Sequence, residues 1–403
     1  LSVNSQQHTF KTLLHNAACM VCNASARVCN DLRFCILCHH HAISMQPDKL
    51  GFLYPVVDQA KCVDCGLCDK VCSFVPDVEA VKRVPQNVKI EVLAAKHKDS
   101  EILAQSQSGG AFSAMAEQVL NDGGLVYGAA FDESFMVRHI RVDSIEGLAA
   151  LRGSKYVQSD LRGIYEQIIG DLRNGFEVIF AGTPCQVAGL KSYIPKALQE
   201  NLLTVDFICH GVPSPSVWKD YLDYMSREGT IVKANFRDKS VAGWKDHKET
   251  FIYNNGKKKV ADSFRVLFYK NIMLRHSCSV CPYNIMDHKS DVTIADFWGV
   301  DKVLPHMDGT EGTSMVVCNT SEGQELMVRA SDVLNVVPAV LDYDFMSRRN
   351  PNLVRPARID KDRMKFEDEF SRGGFIRVAR RWGDLGIRYR LWQIKKYIFS
   401  LFK

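Results

Sequence analysis

Between residues 91 and 345, two kinds of apolar run alternate. Short continuous runs read as strands: VLAAK from Val92, LVYGAAF from Leu125, MVRHIRV from Met136, EVIFAG from Glu177, NLLTVDFI from Asn201, DVTIA from Asp291 and SMVVCN from Ser314. Between them lie stretches with helical spacing. SGGAFSAMAEQVLNDGG enters through one glycine pair and leaves through another, Leu161–Asn174 is amphipathic, and QVAGLKSYI follows a strand and the loop TPC. Asp143 and Glu146 stand at capping-box spacing and predict a helix over DSIEGLAAL. Asn255-Gly256, between β-rich runs in 246–270, signals a hairpin. This alternation predicts a mixed α/β fold. Residues 1–18 are polar and 81–90 read as a linker, while 19–80 follow neither period. From Lys361 the chain is charged and helical, with Ile387, Leu391, Ile394, Ile398 and Leu401 on one face and Arg388, Arg390, Lys395 and Lys396 beside them. We therefore divide the chain at 1–80, 91–175, 176–345 and a helical, basic tail at 346–403.

Hydrophobic content of 46% over 403 residues supports a sizeable core, and a formal charge of +5 is too mild to call for nucleic acid. No run of 18 apolar residues occurs, and the first residues lack a signal-peptide core, so a cytoplasmic protein without a transmembrane segment is expected. The tail, with Tyr389 and Trp392, is a candidate for peripheral contact with a membrane surface. Of fourteen cysteines, nine fall between Cys19 and Cys72. A secreted disulfide scaffold is normally short, so thiols serving as metal ligands fit this long chain better.

Cys62-x2-Cys65-x2-Cys68-x3-Cys72 has the bacterial ferredoxin spacing. The short gaps let three thiolates wrap one face of a [4Fe–4S] cubane, and the fourth reaches the second cluster of a pair. Zinc ribbons use two CxxC knuckles on a longer loop, which four cysteines in so short a run do not supply. Upstream, Cys19, Cys22 and Cys29 keep the spacing, with Ser25 at the missing position and Cys35 and Cys38 in an insertion. Either Cys35 or Cys38 completes that site, or the site holds no complete cluster. The triplet His39–His41 reads as solvated.

Cys185 and Cys209 follow predicted strands, where α/β folds place their sites. With the CxxC pair Cys278 and Cys281 they make four ligands, although buried structural thiols are the alternative. Cys318, inside a strand, reads as structural.

The motifs QSGGAFSAMAE, LRGSKYVQSD, FAGTPCQVAGLK, VDFICHGVPSPSVW, NFRDKSVAGW, CSVCPYN and SDVTIADFWG occur in order. Over residues 19–330 they resemble the coenzyme F420 hydrogenase/dehydrogenase beta-subunit family, fused to an N-terminal two-cluster ferredoxin-like domain. The resemblance implies flavin-binding α/β domains, FAD, and two or three [4Fe–4S] clusters, the inner one held by Cys185, Cys209, Cys278 and Cys281. It implies cofactor contacts at Ser108, Gly109, Gly110, Gly153, Ser154, Lys155, Tyr156, Thr183 and Pro184. Glycines at a helix start agree with this, because they expose N–H groups to a diphosphate. Lys155 and Asp296 are the catalytic candidates, and His210 sits beside a ligand. Phe236–Asp238, Trp244 and Lys245 read either as a substrate-side surface or as a surface salt bridge. The expected activity is FAD- and iron–sulfur-dependent oxidoreduction, with a redox partner protein or a small-molecule acceptor. The acceptor could be F420-like or belong to polysaccharide synthesis. The alternative is a non-catalytic electron-transfer subunit that docks on a separate enzyme.

Overall fold

The computed structural model describes residues 40, 42–65, 89–387, 389 and 391. An N-terminal hairpin comes first, β1 (Ile43–Pro47) against β2 (Leu53–Val57). Then follow β3 (Lys89–His97), β4 (Leu125–Phe131), β5 (Val137–Val142), β6 (Val178–Ala181) and β7 (Leu202–Phe207). A small antiparallel sheet holds β8 (Ile231–Asn235), β9 (Glu249–Tyr253) and β10 (Lys258–Ala261). The last strands are β11 (Val292–Asp296), β12 (Ser314–Cys318) and β13 (Leu334–Asp342). The main sheet has eight strands in the order β13-β3-β12-β11-β7-β6-β4-β5. Its centre, β11-β7-β6-β4, is parallel, and both flanks are antiparallel. The fold is mixed α/β, and strands from 91–175 and from 176–345 share this one sheet.

Helices cover both faces of the sheet, which is why β4 and β7 read as nearly unbroken apolar runs. Among them, α1 (Ala111–Asn121) packs its buried Ala114, Met115 and Val119 on one face. On the other, α2 (Ile164–Arg173) turns Ile164, Ile168 and Leu172 inward, and α3 (Pro184–Tyr193) joins the same core. Beyond the sheet, α4 (Pro215–Met225) brings Trp218 and Tyr221 into an aromatic cluster with Phe236, Phe251 and Phe264. Among the described residues, no helix is long and apolar enough to cross a membrane.

Several local expectations change. Glu146–Ala150 is a single 3-10 turn with Ile145 before it, and Asp143 accepts from Arg141 at 2.8 Å instead of capping a helix. The Asn-Gly hairpin forms as β9–β10, but its second strand stops at Ala261 because Ser263–Tyr269 is helical and buries Phe264, Leu267 and Phe268. Cys185 lies in the first turn of α3 rather than in a loop, since Pro184 suits the first helical position.

The hairpin β1–β2 does not follow from periodicity. Asp48 Oδ1 accepts from the N–H groups of Leu50 and Phe52 at 2.9 and 2.8 Å, which folds the turn over. Leu50 and Phe52 then sit fully buried in the largest core cluster. Each such side chain contributes about 1.5–3 kcal/mol, so the hairpin is anchored to the main body. The chain leaves it toward Cys62 and Cys65, half-buried and exposed respectively. Cys19, Cys22, Cys29, Cys35, Cys38, Cys68 and Cys72 lie outside the described residues, as does most of the basic tail helix from Arg388.

Candidate cysteine site and adjoining cavity

Cys185, Cys209, Cys278 and Cys281 arrive on separate segments. Cys185 follows β6 within α3, Cys209 follows β7, and the last two flank the end of the 3-10 turn His276–Val280. The carboxyl ends of two adjacent parallel strands thus supply half of the set. Cys209 lies within electrostatic range of Cys278, Cys185 and Cys281, and Cys185 within that of Cys281 and Cys278, so a thiolate at one would raise the others. Each sulfur also has a polar neighbour. Thr183 Oγ1 lies 3.1 Å from Cys185 Sγ, and the Val212 N–H donates to Cys278 Sγ at 3.4 Å. The backbone at Gly211 serves Cys209, and that at Tyr283 and Asn284 serves Cys281. Burial pushes all four thiols up, Cys281 to about 12. Cys318 is raised to about 11 by burial alone and stands outside this group.

Among the described residues, no group of three or more His, Cys, Asp or Glu side chains is placed to hold a metal ion. One zinc ion at about 2.3 Å from each sulfur draws thiolates into near contact. A cubane with iron at its corners spaces its four thiolates more widely. The donor chemistry of four thiols with backbone N–H groups beside them suits such a cluster.

Cys209 opens onto a cavity of about 450 Å³, a size usual for cofactor clefts. Ser108, Gly110, Gly153, Ser154, Lys155, Tyr156, Thr183 and Asp296 line it. Gly110 caps α1 at φ +81° without a side-chain hydrogen bond, so no side chain caps the first turn, whose Ala111, Phe112 and Ser113 line the cavity. Gly109 is held differently: its N–H donates to Ser314 Oγ at 2.9 Å, its carbonyl accepts from the His97 N–H at 2.7 Å, and it is not in the lining. Pro184 is likewise absent from the lining.

Lys155 donates to the carbonyls of Ala150 and Arg152, both at 2.9 Å. Among the described residues no carboxylate forms an ion pair with it, and burial pulls its ammonium down to about 7. Tyr156 packs beside Phe236, Phe268 and His247, whose rings lie 4.9–5.9 Å away.

Among the lining residues that sequence reasoning missed are Arg152 and His139. Arg152 donates to Ser113 Oγ at 3.2 Å in the first turn of α1 and faces Glu117 at 3.7 Å, which places a guanidinium at the uncapped helix start. It immediately precedes the GSKY segment, which was the available signal. His139 is buried and stacks on Phe180 at 5.2 Å. Its Nε2 meets the Ala181 carbonyl at 2.9 Å, which fixes the proton there, while Nδ1 is buried without a hydrogen-bond partner among the described residues. Burial pulls His139 down to about 4, so the ring is neutral at pH 7 and Nδ1 is an unused acceptor.

At the other end of the cavity, Asp296 Oδ2 accepts from Arg237 Nη1 at 2.6 Å. Both residues are shielded from water, so this is an interior ion pair rather than a surface salt bridge. Trp298 stacks on buried Trp244 at 4.8 Å, and Phe236 is core. Of the expected substrate-side surface, Lys245 remains exposed, paired with Asp308 at 3.0 Å. His210 lies between Asn271 and Asn352, its ring nitrogens 2.6 and 3.0 Å from their amide oxygens, and shapes the loop after Cys209.

Two family models match in tandem. Residues 92–164 match the N-terminal part of the coenzyme F420 hydrogenase/dehydrogenase beta subunit, and residues 176–340 match the C-terminal part of that same protein. No curated protein matches the chain. Among solved structures, a chain of the xenon-derivatised F420-reducing [NiFe] hydrogenase complex from Methanosarcina barkeri is similar over 72% of this chain and 96% of that one, at 17% identity and a TM-score of 0.48.

Proposed function

We propose, from the premise that this chain belongs through residues 92–340 to the coenzyme F420 hydrogenase/dehydrogenase beta-subunit family, that it is an iron–sulfur flavoprotein oxidoreductase acting in electron transfer. One observation carries the reading: the cavity walled by the uncapped start of α1, Arg152 and Lys155 also reaches Cys209 of the four-thiol site. Cys185, Cys209, Cys278 and Cys281 would hold a [4Fe–4S] cluster, and the cavity would hold FAD. When bound, the cluster supplies single electrons and the flavin pairs them for a two-electron or hydride transfer.

The chain's own groups have definable work. The α1 N–H groups and Arg152 attract a diphosphate. Lys155, without a carboxylate partner among the described residues, favours an anionic ligand. His139 Nδ1 accepts a hydrogen bond from a donor on the cofactor. Asp296 neutralises Arg237, which keeps one cationic side chain of the cavity compensated while Arg152 and Lys155 act on the ligand. Electrons would enter from the Cys62–Cys72 motif, and the acceptor is a small molecule or a redox partner.

Anaerobic purification followed by iron, acid-labile sulfide and flavin analysis tests this. About twelve irons with one flavin is the result for three clusters, and about eight would mean an incomplete upstream site. Iron without bound or bindable flavin would reject the enzyme and favour a docking electron-transfer subunit. Zinc without sulfide would overturn the reading altogether.

A further inference from the structure

Arg275 is fully buried. Its Nη1 donates to Gln158 Oε1 at 3.2 Å, its Nη2 donates to the Leu53 carbonyl at 2.9 Å, and its Nε has no partner. Among the described residues, no carboxylate forms an ion pair with it. A guanidinium in this position is costly unless an anion lies nearby. The Cys278 N–H donates to the Arg275 carbonyl at 3.0 Å, and the guanidinium's charge acts on both Cys278 and Cys185. A second buried guanidinium, Arg363, also acts on Cys278, but it has a carboxylate of its own, Glu367, at 2.8 Å. Arg275 is held in place from the opposite side by hairpin β1–β2, where its Cζ lies 4.1 Å from the Tyr54 ring centre.

We propose that Arg275 is the counter-charge of an anionic cluster held by Cys185, Cys209, Cys278 and Cys281, and that it raises the reduction potential of that cluster. The inference rests on the cluster reading above. A cubane on four thiolates is a net anion and becomes more negative when reduced, so a fixed positive charge favours the reduced form. One electron leaves a donor cluster and enters this one, and no bond forms or breaks. The consequence is directional: Arg275 makes the inner site the better acceptor for electrons arriving from the N-terminal motif. The residue acts through the cluster's surroundings, so it is a positioning and tuning residue rather than a catalytic one.

The test is an EPR-monitored redox titration of the full chain, purified anaerobically, with the inner signal identified by its loss in Cys278→Ala. Arg275→Gln should shift the one-electron equilibrium at least tenfold toward the oxidised form, about 59 mV more negative, and Arg275→Lys should shift it less. An unchanged midpoint in Arg275→Gln, with the inner signal intact, overturns the proposal. If Arg275→Gln loses the cluster, retention in Arg275→Lys supports the charge role, and loss in both overturns it. A wild-type chain with no iron and no signal at this site defeats the cluster reading instead.

Discussion

The cysteines at 62–72 and those at 185–281 offer the same ligand chemistry through opposite routes. In the first set, spacing alone brings the thiols together: Cys62, Cys65 and Cys68 are each three residues apart, and the connecting chain needs no tertiary support. In the second, ninety-six residues separate Cys185 from Cys281 by their numbering, and the two strands β6 and β7 must pair before Cys185 and Cys209 can meet. A site of the first kind can be damaged without harm to the body of the protein. A site of the second kind shares its walls with the core, because Cys185 and Cys278 belong to the same buried cluster as Trp218 and Phe264.

The sharpest way to break this comparison is to remove one thiol from each set. Cys278→Ala should lose about four irons and lower the thermal midpoint of the whole protein, because three thiols and Arg275 stay buried with nothing to bind them together. Cys62→Ala should lose iron from the N-terminal segment and leave the midpoint of the main body unchanged. Iron analysis and calorimetry of the two variants decide it. Equal effects on the midpoint would mean that both sites are built into one core.

The same distinction explains what the sequence made legible. The strands, the helix after Gly110 and the Asn-Gly hairpin follow from local pattern, and all are present. The hairpin β1–β2 was missed because its stability comes from Leu50 and Phe52 inserting into a distant core, and no periodicity within 43–57 reports that. The 3-10 turn at Glu146–Ala150 replaced a predicted helix because Asp143 was taken by Arg141, two residues before it on β5. His139 sat unnoticed in an alternating strand, since burial and the loss of one nitrogen's partner are properties of the packed sheet. Arg152 was within reach, one residue before a recognised segment, but only the contact with Ser113 shows its direction.

Two glycines in the motifs separate local from tertiary demands on a smaller scale. A Cβ on Gly109 would lie 2.0 Å from the Ala95 carbonyl oxygen and 2.5 Å from the Ser314 nitrogen, both rigid backbone atoms of β3 and β12. Gly109→Ala should therefore cost stability at or above the upper end of the ~1–3 kcal/mol typical of overpacking. Gly153 has open space around it and is constrained only by its own φ of +77°. Gly153→Ala should cost about 1–2 kcal/mol and act mainly on the ligand-facing loop. Chemical denaturation measures both, and a larger loss at Gly153 would reverse the assignment of Gly109 to packing.

The smallest expected effect concerns Lys155, whose charge state the fold sets and the sequence does not reveal. Burial lowers its ammonium to about 7, against about 10.4 for an ordinary lysine. Between those values the unfolded chain holds the proton and the folded chain does not, so this group's contribution to stability is constant below about 7 and rises with pH from there to about 10.4. An anion in the cavity favours the protonated form, so binding takes up a proton there. FAD affinity of the flavin-free protein should be highest below pH 7 and fall about fivefold between pH 7 and 8. Lys155→Met should bind more weakly at pH 6.5 and lose that dependence. Fluorescence titrations of both proteins across this range give the slopes, and parallel slopes would show that Lys155 does not face the anion. A flat wild-type profile with tight binding would move the anion-holding role to Arg152 and the start of α1.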